Sequence, residues 1–69
     1  MFTQVQLDVG VNYTLFRLWR GDSIDAAVKS ASGQVSYDTA EQFHFEQWAK
    51  CEPRVIEAAK WYASKEAGK

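Results

Sequence analysis

The sequence predicts an α+β domain, in which an N-terminal antiparallel β-hairpin packs against three α-helices, with residues 34–37 left as a third short strand or a loop. Three observations carry this expectation. Residues 3–9 alternate polar and apolar side chains, the period-two pattern of a half-buried strand. Residues 13–20 are dense in aromatic and aliphatic groups and sit one short turn away. From residue 22 onward, apolar residues recur at helical spacing behind helix-start signals.

In the first expected strand, Val5, Leu7 and Val9 share one face and Gln4, Gln6 and Asp8 the other. Gly10 interrupts the alternation, and with Asn12 it supplies residues that tolerate turn geometry. In Tyr13-Thr14-Leu15-Phe16-Arg17-Leu18-Trp19-Arg20, both faces of a strand carry large apolar groups. A helical alternative places Leu15, Leu18 and Trp19 on one stripe. The strand is favoured because the composition is β-branched and aromatic and the preceding strand needs a neighbour.

Asp22 or Ser23 then caps a first helix, with Asp25 in its first turn. Ile24, Ala27, Val28 and Ala31 form its apolar stripe, and Gly33 is placed to end it. A second helix starts at Asp38 or Thr39, each of which has a capping-box partner, Glu41 or Gln42, and runs to about Cys51. Its broad side is read as Ala40, Phe43, His44, Gln47, Trp48 and Cys51, widened by Phe45 and Ala49; the alternation at 43–45 leaves an extended segment open there. Pro53 suits the first turn of a third helix over residues 53–66, with Val55, Ile56, Ala59, Tyr62 and Ala63 as its core stripe.

The 69 residues allow one domain, residues 1–69. A domain of this size is marginal and often gains stability from disulfides, metals or subunits. Cys51 and His44 are the only residues of their types, so an internal disulfide is excluded and a metal centre is poorly supplied. No cofactor is expected. Oligomerisation or a bound protein partner is the expected source of further stability.

With eight basic and nine acidic residues, the formal charge is −1. Such a balance gives no field suited to DNA or anionic membrane. The N-terminus lacks a signal-peptide pattern, no apolar run approaches a membrane span, and the lone cysteine fits a reducing compartment. A cytoplasmic, complete small gene product is expected.

Catalytic equipment is sparse. His44 lies seven residues from Cys51, roughly 10 Å along a helix, too far for a direct pair. Asp22, Asp25 and Glu41 are explained as helix-start residues. No phosphate loop or nucleophile elbow occurs. Arg20-Gly21-Asp22 and Asn12-Tyr13-Thr14 match an adhesion tripeptide and a glycosylation acceptor, but both need a secretory context.

The expected function is therefore non-catalytic protein binding or self-association, as a regulatory adaptor, inhibitor or complex subunit. The aromatic fraction is 14%, more rings than so short a core requires. Interface centres favour Trp, Tyr and Arg, which makes Arg17, Trp19, Arg20, Trp48 and Trp61 the contact candidates; a packing role is the competing account of each tryptophan. Trp61 is the most interface-like, because Val55, Ala59 and Tyr62 close the core without it. An edge strand at 13–20 offers a second route, by strand addition. The alternative is a nucleic-acid-binding regulator using Arg17 and Arg20 with Arg54, Lys60, Lys65 and Lys69.

Overall fold

The structure, a computed structural model, describes residues 2–67, with side chains through Ala63. Among these residues it is all-helical: α1 is Gln4–Trp19, α2 Ile24–Val35, α3 Thr39–Lys50 and α4 Pro53–Ala67. The expected β-hairpin is absent, as is a strand at 34–37, so the α+β assignment is overturned. Both halves of the expected hairpin belong to one 16-residue helix.

Thr3 starts that helix. Its hydroxyl accepts from the Gln6 amide at 3.1 Å, and the Gln6 side chain accepts from the Thr3 amide at 2.9 Å, a reciprocal capping box. Leu7, Val11, Thr14 and Leu18 then face inward at helical spacing. The buried Thr14 hydroxyl donates to the Gly10 carbonyl at 2.8 Å, which leaves no unsatisfied polar group there. The strand-like alternation has a physical cause. A helix that is apolar on two opposite faces mixes inward Leu7 with outward Val5 and Val9, which mimics period two over a short window.

Gly10 is a packing residue in mid-helix, not a turn. A β-carbon there would lie inside contact distance of Cε2 and Cζ of Phe45, and 3.1 Å from Cγ1 of Val35. Its bare backbone lets the Phe45 ring of α3 rest on α1. The true turn follows α1. Gly21 has φ +105°, its amide donates to the Leu18 carbonyl and that of Asp22 to Arg17, both at 3.0 Å, a Schellman-type stop. An ion pair between Arg17 Nε and Asp22 Oδ2, 2.6 Å long, closes the same turn.

Ser23 caps α2 by accepting from the Ala26 amide at 3.2 Å. The helix runs through Gly33 to Val35, longer than the sequence predicts. Ala27, Val28 and Ala31 are buried as expected, joined by Ser32 and Val35. The turn into α3 is tied by side chains: Ser36 Oγ donates to Glu41 at 2.7 Å and accepts from the Asp38 amide at 3.0 Å. Asp38 caps α3 by accepting from the Glu41 amide at 3.0 Å.

Residues 43–45 are helical, and α3 presents a different side from the one expected. Phe45 and Ala49 are buried, while Ala40, Phe43, His44, Gln47 and Cys51 are exposed. Pro53 opens α4 as predicted. Val55 is buried, Ile56, Ala59 and Tyr62 half-buried, and Ala63 exposed.

The α1, α2 and α3 helices alternate in direction; Lys50 at the end of α3 meets Asp25 at the start of α2, 3.1 Å apart. The α4 helix returns against α1 in the same sense. Arg54 reaches Asp8 at 3.5 Å, and further along Ala59 and Tyr62 border a cleft with Leu18. The core comprises Val11, Leu18, Ala27, Val28, Ala31, Val35, Phe45, Ala49 and Val55. Phe45 is its largest fully buried side chain, edge-on to Phe2 and tilted against Trp48.

Two glycine substitutions separate packing from helix propensity. Gly10→Ala is expected to destabilise by about 1–2 kcal/mol, because overpacking against an enclosed ring outweighs the helix gain. Gly33→Ala, which meets open space, is expected to stabilise by up to about 1 kcal/mol. Thermal melts of dilute protein check the pair; melting temperatures moving in the same direction would contradict the assigned role of Gly10.

Candidate functional site: the outer face of α1

The α1 helix carries a second apolar stripe, on the side away from the core. Val5, Val9, Asn12, Phe16 and Trp19 are spaced by four, three, four and three residues, the rhythm of a helix–helix seam. At 100° per residue they point nearly opposite to Leu7, Val11, Thr14 and Leu18. Their exposure is large: Val5 71%, Val9 48%, Phe16 44% and Trp19 66%.

Capping and packing hold this face in shape. The Thr3 box fixes one end and the Gly21 turn the other. Between them the rings form a row, with Tyr13 to Phe16 at 6.1 Å and Phe16 to Trp19 at 6.2 Å between centroids. The Arg20 guanidinium lies 5.7 Å from the Phe16 ring centre, within cation–π range. The result is an apolar strip with a cation at one end and the Asp8 carboxylate beside the other.

The remaining candidates are dispersed. Arg17 is committed to Asp22; the hydrogen bond, then the charge, of that carboxylate raises its pKa above the ordinary guanidinium value. Trp48 is half-buried and packs on Phe45, 5.9 Å between ring centroids. Trp61 is exposed on α4, edge-on to Tyr62 at 5.0 Å. The structure thus joins Trp19 and Arg20 on one surface and puts Trp48 and Trp61 elsewhere. Sequence reasoning missed Val5, Val9 and Phe16 because the chain was divided at Gly10. The signal was present as four-three spacing continuing through that glycine.

Strand addition at 13–20 has no basis in a helix. Among the described residues, two of the basic side chains named for nucleic-acid contact, Arg17 and Arg54, are paired with carboxylates. Arg54 bonds Glu52 at 2.9 Å and Asp8 at 3.5 Å, and its pKa is raised first by the Glu52 hydrogen bond. Lys60 is exposed on α4, while the Lys65 and Lys69 side chains lie outside the described residues. Asn12-Tyr13-Thr14 is mid-helix with Thr14 buried, and Arg20-Gly21-Asp22 is folded into the α1 stop.

An open cleft of about 400 Å³ lies where Leu18 and the α1–α2 turn face Ala59 and Tyr62. Two of its polar side chains already have structural roles: Asp22 holds Arg17, and Ser23 caps α2. Exposed His44 has Phe43 as its ring neighbour, 6.4 Å between centroids. Among the described residues, no group of three or more His, Cys, Asp or Glu is placed to hold a metal, and no helix is long and apolar enough to cross a membrane. No protein-family model, curated protein or solved structure matches the chain. The fold and site define a small all-α domain with an outward aromatic helix face.

If the outer stripe does not support the monomer, trimming it costs little. Val5→Ala and Trp19→Ala should each change the unfolding free energy of dilute protein by less than about 0.5 kcal/mol. Phe45→Ala should cost about 3–5 kcal/mol, enough to unfold a marginal domain. Urea titrations distinguish the two faces, and a loss above about 2 kcal/mol at Val5 or Trp19 would place those side chains in the core.

Proposed function

We propose that this chain is a non-catalytic protein-binding module whose contact element is the outer face of α1. The observation that carries the reading is the exposure of Val5, Val9, Phe16 and Trp19 along one line, with Asn12 at its middle, opposite the core. Scattered exposed apolar residues are ordinary, whereas a contiguous apolar patch marks a contact surface. A rigid helix also presents its side chains with little ordering cost on binding.

Several features support a binding role over catalysis. Asp22, Asp38, Glu41 and Glu52 each take part in a turn, cap or ion pair, which accounts for them without a substrate. Arg20 beside Phe16 and Trp19 provides the Arg–aromatic combination common at interface centres. The exposed thiol of Cys51 suits a reducing compartment such as the cytoplasm. An adaptor, an inhibitor or a subunit of an assembly would each use such a face in the same way.

The test compares the full chain with a Phe16→Lys/Trp19→Lys variant that retains its helical circular dichroism. Association with proteins of the source cell, including further copies of the chain, is measured by affinity capture and sedimentation. The variant should lose at least tenfold in binding. Partners retained at undiminished affinity would move the contact surface off α1 and defeat the reading.

A further inference from the structure

We propose that α4 is a releasable strap: it swings off α1 about Glu52 in a partial opening that leaves α1, α2 and α3 folded together. This opening is independent of what the outer face of α1 contacts. The hinge, the anchoring of α4 and the shape of its contact with α1 each point to it.

The hinge is one residue. The Glu52 amide donates to the Ala49 carbonyl at 3.1 Å, which finishes α3, and the Glu52 carbonyl accepts from the Val55 and Ile56 amides, both at 3.0 Å, which start α4. Pro53 has no amide to return to α3. The Glu52 side chain accepts from Arg54 Nε at 2.9 Å and so travels with α4. Rotation about the Glu52 backbone therefore turns α4 against α3 without breaking any of these bonds. Residues at the ends of elements are where hinge rotation is absorbed.

The anchoring is light. Among the described residues, Val55 is the one core side chain that α4 supplies; every other belongs to α1, α2 or α3. Ile56, Ala58, Ala59 and Tyr62 are half-buried. The ion pair from Arg54 to Asp8 is 3.5 Å long and joins side chains that are 47% and 46% exposed, and exposed pairs contribute little. The rest of the bundle holds itself. Phe45 sits on Gly10, and Thr3, Ser23 and Asp38 cap their helices without help from α4.

The contact is wedge-shaped. Val55 and the Arg54–Asp8 pair both lie in the first turn of α4. Further along, the open cleft lies between Ala59, Tyr62 and Ala63 on one side and Leu18 and Ile24 on the other. Segments with few buried apolar contacts open ahead of global unfolding. Release bares the flank of α1 from Asp8 to Leu18. Alone, the 15-residue α4 is too short to stay helical in water, so its amides meet solvent once it leaves α1.

Native-state hydrogen exchange of the full chain, followed residue by residue in low concentrations of urea, tests the strap. Amides of residues 57–63 should share one protection level, at least about tenfold below that of Val11, Val28 and Phe45. They should also share one urea dependence, weaker than that of the bundle because less surface is exposed. Asp38→Ala removes the α3 cap and should lower protection at Val11, Val28 and Phe45 by about three- to tenfold. It should leave residues 57–63 unchanged, because their opening does not unfold the bundle. An equal fall in α4 overturns the strap, as does protection of residues 57–63 equal to that of the bundle in the unsubstituted chain. Protection graded along α4 with no urea dependence would mean fraying and overturns the hinge at Glu52.

Discussion

The Phe45 ring rests on the backbone of α1 at Gly10, and the seating of α3 on α1 depends on that contact. It brings α3 to α1 across the C-terminal end of α2, where Val35 completes the enclosure. Phe2 and Trp48 close the ring from its edges. Around it the core is built largely from small side chains: Ala27, Val28 and Ala31 on α2 and Ala49 on α3. Small residues allow close approach of the helices, and one large ring fills the space that remains. A core organised in this way has little room to adjust, because interiors are packed to crystal-like density.

The same contact explains what was legible in the sequence. The caps at Ser23 and Asp38, the proline opening α4, and the stripe of Ile24, Ala27, Val28 and Ala31 are local signals, and local signals suffice for them. The N-terminal half was illegible for a tertiary reason. Glycine is a poor helix residue in isolation, so Gly10 reads as a break unless the ring that needs it is known, and that ring lies 35 positions away in the chain. Gly33 misled in the same direction, while Gly21, with its positive φ, was a true stop. The side of α3 was misassigned because Phe43 and Phe45 are equivalent by composition; only the vacancy above Gly10 selects Phe45 for the interior.

The candidate site was half legible for a related reason. Trp19 and Arg20 stand out as residue types, so they could be named without a fold. Val5 and Val9 acquire meaning only when α1 is continuous, since their link to Phe16 and Trp19 is a helical phase carried across Gly10. Splitting α1 also made its two apolar faces look like two strands. Arg17 shows the converse: its chemistry suggests a contact residue, but its position three residues before the helix cap commits it to Asp22.

A two-faced α1 joins stability to binding. The inward face is consumed by α2, α3 and α4, and the residues it meets are small, so the core gains modest apolar area for the chain it must order. The outward face holds Phe16 and Trp19, two of the largest side chains in the molecule, in solvent. Covering them removes apolar surface from water without ordering further backbone, because α1 is already fixed by its caps and by Phe45. Any partner that binds only folded α1 stabilises the fold by mass action. A protein seated on that face would therefore raise the stability of the domain with its own concentration, and the glycine that admits Phe45 on one side of α1 would determine whether the other side is presented as a helix at all.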